Sequence, residues 1–266
     1  MTNMVRIENL SKAFGGLQAV SQCSFDIPKG GITGLIGPNG AGKTTLFSMV
    51  AGALRPDSGK IILDGEDVTG LPTHKLFRKG LVRTFQIPHE FSSMTVRENL
   101  MVVPEGQVGE GLVSALFRPG RVRAQEAEIR NKVDDVLDFL QITHVANELA
   151  GNLSGGQKKL LELGRTMMTD ARMVLLDEPG AGVNRTLLGK LADAIERLNQ
   201  ERGYTFCIIE HDMDLIARLC QPVVCMAQGT VIAQGSMDEV RQNEDVREAY
   251  LGGYAAKKLD QGAAKA

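Results

Sequence analysis

Gly37-Pro38-Asn39-Gly40-Ala41-Gly42-Lys43-Thr44-Thr45 is the stretch on which the reading of this chain turns. It fits the pattern G-x-x-x-x-G-K-[ST], in which glycines let successive backbone N–H groups converge on phosphate oxygens with no side chain in the way. Lys43 adds a point charge with the reach of the β- and γ-phosphates, and the Thr44 hydroxyl is an oxygen ligand of the kind Mg²⁺ takes alongside waters. Upstream, Ile32-Thr33-Gly34-Leu35-Ile36 reads as a short buried strand; downstream, Leu46, Phe47 and Val50 fall at helical spacing and Gly52 ends the helix. The helix starting near Lys43 turns its positive end toward the anion. Strand, glycine loop and helix together read as a phosphate cradle rather than a loose turn.

Alone, the loop says nucleoside triphosphatase; the flanking chain decides which kind. Residues 4–36 alternate apolar and polar positions with turns at Gly15-Gly16 and Pro28-Lys29-Gly30-Gly31, which predicts short strands in a partly antiparallel sheet. Phe14, just before the first turn, is either core packing or, with a phosphate loop downstream, a face on which adenine stacks. Met173-Val174-Leu175-Leu176-Asp177-Glu178 and Thr205-Phe206-Cys207-Ile208-Ile209-Glu210 are apolar runs ending in acids, as suits central parallel strands covered on both faces. Helices are expected at about 186–201 and 212–220, and Val223 to Ala227 with Thr230 to Gln234 reads as a hairpin around Gln228-Gly229. Between about 87 and 152 the character changes to an inserted helical lobe, in which Ile129, Val133, Val136, Leu137 and Leu140 share one helix face.

Four further features bear on chemistry. Gln86, where the core hands over to the inserted lobe, is placed to touch magnesium and water, although a glutamine is most often only a surface residue. In Leu153-Ser154-Gly155-Gly156-Gln157, Ser154 is a helix N-cap and the two glycines leave backbone N–H groups open, so this is a second anion site. Two phosphate-binding helix starts are too many for one nucleotide in one protomer, which points the second at a nucleotide on another molecule. Asp177 at a strand end suits magnesium through water, and Glu178 suits orienting or deprotonating the attacking water. His211 follows a strand at the carboxyl edge of the sheet, where open α/β sheets place ligand contacts, here the γ-phosphate.

The set GPNGAGKTT, Gln86, LSGGQ, MVLLDEP and His211, in this order, resembles the nucleotide-binding subunit of an ATP-binding cassette (ABC) transporter over nearly the whole chain. The resemblance implies an α/β P-loop NTPase core of RecA-like type with an antiparallel β subdomain and an inserted α-helical signature-motif subdomain. It implies one ATPase domain over 1–254, with core at about 1–86 and 160–254, lobe at about 87–159, and a disordered tail at 255–266. It implies ATP and Mg²⁺ as the bound groups: Phe14 on adenine; Gly37, Pro38, Asn39, Gly40, Ala41, Gly42, Lys43, Thr44 and Thr45 on the phosphates; Thr44, Gln86 and Asp177 at the metal. Ser154, Gly155, Gly156 and Gln157 would face the γ-phosphate of the opposing subunit, Glu178 would be the base, His211 would steady the transition state and Gln86 would link the site to the lobe.

Phe14-Gly15-Gly16-Leu17-Gln18-Ala19-Val20, Arg83-Thr84-Phe85-Gln86, the stretch from Leu112 to Arg123, Leu160-Leu161-Glu162-Leu163-Gly164-Arg165 and Val246-Arg247-Glu248-Ala249-Tyr250-Leu251-Gly252 are similar to the ATPases of branched-chain amino-acid importers. Partners implied are a second ATPase subunit, like or unlike, membrane permease subunits and, indirectly, a periplasmic substrate-binding protein, with the chain peripheral on the cytoplasmic face of the inner membrane. Asn184 stands where many relatives carry Asp, which puts the usual contact across the dimer in question. Left open are a lipopolysaccharide-type exporter ATPase and a soluble ABC ATPase of the iron-sulfur assembly kind.

Composition sets the outer limits. The 266 residues, 43% hydrophobic, suffice for a large core. Lys plus Arg number 30 against 32 Asp plus Glu, and a net charge of -2 gives no field favouring nucleic acid. The cysteines at 23, 207, 220 and 225 form no C-x-x-C pair and read as reduced core thiols. No apolar run approaches the ~20 residues needed to span a bilayer.

Overall fold

The computed structural model describes residues 2–84, 90–107 and 119–251. Gln86, most of the 106–120 stretch and the tail 255–266 lie outside the described residues. In chain order come β1 (Asn3–Phe14), β2 (Leu17–Pro28), β3 (Ile32–Ile36), α1 (Lys43–Val50), β4 (Ser58–Leu63), β5 (Glu66–Asp67), α2 (Thr73–Arg78) and β6 (Leu81–Arg83). Then follow α3 (Val96–Met101), α4 (Pro119–Phe139), α5 (Gly155–Met167), β7 (Met173–Asp177), α6 (Arg185–Arg202) and β8 (Thr205–Ile209). The last are α7 (Met213–Leu219), β9 (Val223–Ala227), β10 (Thr230–Gly235) and α8 (Met237–Gln242), after which residues 244–251 are helical. The chain forms two compact units: one of Met1–Arg83, Arg172–Pro179 and the chain from Leu198 on, the other of Thr84–Ala171 and Gly180–Arg197.

The first unit holds two sheets. A four-stranded antiparallel sheet runs in the order β2-β1-β4-β5, and a six-stranded sheet in the order β10-β9-β3-β8-β7-β6. In the larger sheet β3 pairs in parallel with β8 and β9, β7 with β6 and β8, and only β10 runs antiparallel, as the hairpin partner of β9. Every residue of β3, β7, β8 and β9 is buried, which is why these strands read as unbroken apolar runs while β1 and β2 alternate. Leu46, Phe47, Met49 and Val50 of α1 share a core with Val5, Ile7, Leu35, Leu175 and Ile209. Each such side chain contributes roughly 1.5–3 kcal/mol relative to exposure, so α1, and with it the loop that precedes it, stands on a fixed floor.

The second unit is helical. Ile129, Val133, Val136 and Leu137 of α4, with Leu140, are buried, as their spacing predicts, and so are Leu160, Leu161 and Leu163 of α5. A Cβ added to Gly164 would meet Leu140, Leu100 and Val136 at 2.9–3.2 Å, so glycine there lets α5 lie close to its neighbours. α5 runs unbroken across residue 160, and the division between the two units falls within α6 at residue 197. Among the described residues no helix is long and apolar enough to cross a membrane.

Candidate nucleotide site

The stretch from Gly37 to Thr45 joins β3 to α1 at the carboxyl edge of the parallel sheet. Two glycines there are dictated by space. A Cβ on Gly37 would lie 2.1 Å from the Met226 carbonyl oxygen, and one on Gly42 would lie 2.4 Å from that of Ala19, while both residues have positive φ. Gly42 is the N-cap of α1 and supplies no side-chain hydrogen bond, so no side chain at that position satisfies the first N–H groups of the helix. Lys43 is buried at 6% exposure, and its Nζ donates to the carbonyls of Gly37 at 2.7 Å and Pro38 at 3.1 Å. Burial holds its pKa below the usual lysine value, with the Glu178 charge opposing that shift. A desolvated ammonium bonded to carbonyls rather than to a carboxylate is a cation that an entering anion would compensate.

A cavity of about 470 Å³ opens over this loop, lined on one side by Phe14, Leu17, Gln18 and Ala19, along its floor by Asn39 to Thr45, and at the end by Glu178 and His211. Phe14 is 49% exposed and lines the cavity, with Lys12 Nζ 5.8 Å from its ring centroid. The cavity thus has an aromatic rim, a backbone-lined floor with a buried cation, and an acid with an imidazole at the far end.

Asp177 and Glu178 close β7 and take different surroundings. Asp177 is buried and paired with Arg83 Nη2 at 2.8 Å, and the same guanidinium donates to Ser48 Oγ at 2.9 Å. Glu178 adopts a left-handed backbone, φ 49, with its N–H donating to the Ile209 carbonyl at 2.9 Å. That conformation costs a non-glycine residue roughly 1–3 kcal/mol, and it turns the side chain out of the strand line toward the cavity. In the tautomer with its proton on Nε2, His211 donates to Glu178 Oε1 at 3.0 Å. Arg83 stands 94 residues from Asp177 in sequence, and no local pattern announces the pair.

In the second unit Ser154 is the N-cap of α5, as its sequence indicates, and a full capping box is present. Ser154 N–H donates to Gln157 Oε1 at 2.9 Å, and Ser154 Oγ bonds the same oxygen at 2.8 Å. Gln157 therefore spends its side chain on its own helix start. Gly156 is closed in by Leu187 and Val183, with a Cβ there 2.6 Å from Leu187 Cδ1. Asn184 Oδ1 accepts from the Leu187 N–H at 2.9 Å, which makes it the cap of α6, a role the sequence reading did not give it.

A glycine loop between a parallel strand and its helix, with an acid pair at the end of β7, two strands across the sheet, defines an α/β nucleotide-binding cassette of the P-loop kind. The chain belongs to the ABC transporter family, whose profile matches residues 20–181, and a second profile, that of the branched-chain amino acid ATP-binding cassette transporter, matches residues 230–256. It is 43% identical to the "Probable branched-chain amino acid transport ATP-binding protein LivG" of Archaeoglobus fulgidus over 94% of this chain and 95% of that one. It is 39% identical to the "High-affinity branched-chain amino acid transport ATP-binding protein BraF" of Pseudomonas aeruginosa over 94% of this chain and 98% of that one. Among solved structures, a nucleotide-free ATP-binding cassette from an ABC transporter superposes with a TM-score of 0.80 at 35% identity, covering 94% of this chain and 99% of its own. The ADP conformation of an ABC transporter cassette gives 0.78 at 34%, covering 95% and 100%.

Proposed function

We propose that this chain is the ATP-hydrolysing subunit of an importer for branched-chain amino acids. The observation that carries the reading is that the relatives with that printed role match along almost their whole length, and that the stretch 230–256, outside the general cassette profile, fits the branched-chain profile as well. The chain would work as a dimer of like or unlike ATPase subunits on permease subunits at the cytoplasmic face of the inner membrane, with a periplasmic binding protein delivering substrate.

The residues at the cavity suit ATP and Mg²⁺. Backbone N–H groups from Gly40 to Thr45 and the Lys43 ammonium take the phosphates, and Phe14 offers its face to the base. The donors for magnesium are hard oxygens, the Thr44 hydroxyl and the Asp177 carboxylate oriented by Arg83, with Gln86 as a third; a metal that keeps several waters and phosphate oxygens needs no larger cluster. Bound there, the ion would neutralise charge developing on the phosphates. Glu178 orients the attacking water and accepts its proton, and His211, hydrogen-bonded to Glu178, holds that carboxylate in place and contacts the γ-phosphate. Ser154, Gly155 and Gly156 of one subunit close on the γ-phosphate held by the other. Because those contacts exist only in the closed dimer, they supply the difference in affinity by which ATP drives closure.

The test is to isolate the tagged protein from detergent-solubilised membranes and identify what accompanies it. Two polytopic membrane proteins, with or without a second ATPase, are expected, along with loss of labelled leucine uptake on deletion. Purely soluble companions would overturn the transport reading, and ATPase activity that persists in excess EDTA would overturn the magnesium assignment.

A further inference from the structure

The first unit has a second cavity, about 420 Å³, with apolar walls formed by Ile36, Met213, Met237, Val240 and Leu251 and with Tyr250 among them. Ile36 ends β3 and directly precedes Gly37, so this cavity adjoins the phosphate loop. Tyr250 belongs to the helical segment 244–251, and its hydroxyl is buried without a hydrogen-bond partner among the described residues. The Gly37 backbone N–H faces that hydroxyl short of full hydrogen-bond geometry. Burial pushes the phenol up to about 12, so it is protonated at any physiological pH and is free to accept from an N–H.

Gly37 is a consequential residue to lean on. On one side the Met226 carbonyl leaves no room for even a Cβ, and its own carbonyl receives the Lys43 ammonium at 2.7 Å. A shift of this residue therefore moves the lysine that the cavity presents to phosphate. We infer that Tyr250 is a positioning residue for the nucleotide: its ring fills the space beside Ile36 and its hydroxyl faces Gly37, so the docked terminal segment sets where the phosphate loop and Lys43 stand. The inference rests on the loop being the nucleotide site. Polar atoms aimed at backbone groups and shielded from water carry more weight than the same atoms at a surface, which is why one buried hydroxyl suffices.

The test uses the full-length protein, with titration of ATP, steady-state ATPase kinetics and the thermal midpoint measured in parallel. Y250F keeps the ring and removes the hydroxyl. It is expected to raise Kd and KM for ATP about threefold to tenfold, with kcat within about twofold and the midpoint nearly unchanged. Val240→Ala opens the same cavity away from the loop and is expected to lower the midpoint while leaving KM alone. If Y250F leaves Kd and KM unchanged, or if KM rises in V240A as far as in Y250F, Tyr250 is packing only and the inference falls. If the wild-type protein itself binds no ATP, the nucleotide reading of the loop falls with it, an outcome separate from either.

Discussion

Two helices in this molecule begin at glycine-flanked turns, and they treat their first N–H groups in opposite ways. α1 starts from Gly42 with φ 96 and no side-chain cap, whereas α5 starts from Ser154 with a capping box closed by Gln157. A helix start has N–H groups without intrahelical partners, and a cap such as Ser154 satisfies them at a gain of about 1 kcal/mol. Forgoing it at α1 leaves those donors open to an anion. Keeping it at α5 makes that helix start self-sufficient. On the proposed function, the open start of α1 holds a resident phosphate and the capped start of α5 meets a nucleotide held by a partner.

Mutations can break that contrast, and the largest effect is expected at the chemistry itself. Glu178→Gln should bind ATP normally while hydrolysing it ~10²–10⁴ times more slowly, measured by single-turnover assay, since only the proton acceptor is lost. Lys43→Ala should weaken ATP binding about 10- to 100-fold by titration, because it removes a charge-assisted contact made to the nucleotide's ground state as well. At the other helix, Ser154→Ala should leave ATP binding by the isolated subunit unchanged and lower the thermal midpoint by roughly 2–4 °C, the equivalent of a lost cap. A clear loss of binding in that variant would erase the distinction between the two starts. Asn184→Asp should move the midpoint by less than about 1 °C, because either side chain caps α6.

The smallest effect is a null one. All four cysteines lie in the first unit and are buried, and burial pushes Cys225 up to about 11 and Cys23 and Cys220 up to about 12. At pH 8 a thiol reagent should therefore label none of them until the first unit opens. Labelling in native buffer would mean that this unit opens readily.

What could be seen in the sequence was what phosphate chemistry and burial impose locally. Gly37 and Gly42 are forced by carbonyls within 2.4 Å of where a side chain would begin, so they recur at fixed spacing from Lys43 and can be read. The runs Met173–Asp177 and Thr205–Ile209 are legible because every position is buried. Contacts between residues distant in sequence left no such trace. The Arg83 pairing that holds Asp177 and the buried hydroxyl of Tyr250 become visible only once the strands and helices are in register. The caps are local: Ser154-x-x-Gln157 carries the capping-box signature, and Asn184 caps α6 three residues ahead of Leu187.

The strand order β10-β9-β3-β8-β7-β6 has a consequence for how the protein comes into being. β3 precedes both of its sheet neighbours by a long way: β8 begins at Thr205 and β9 at Val223, while β3 begins at Ile32. The hairpin of β1 and β2 can form at once, but β3 has no ladder to join until Thr205–Ile209 has been synthesised, and gains its second only with Val223–Ala227. Until β8 is made, β3, every residue of which is buried in the fold, waits unpaired, a natural client for chaperones.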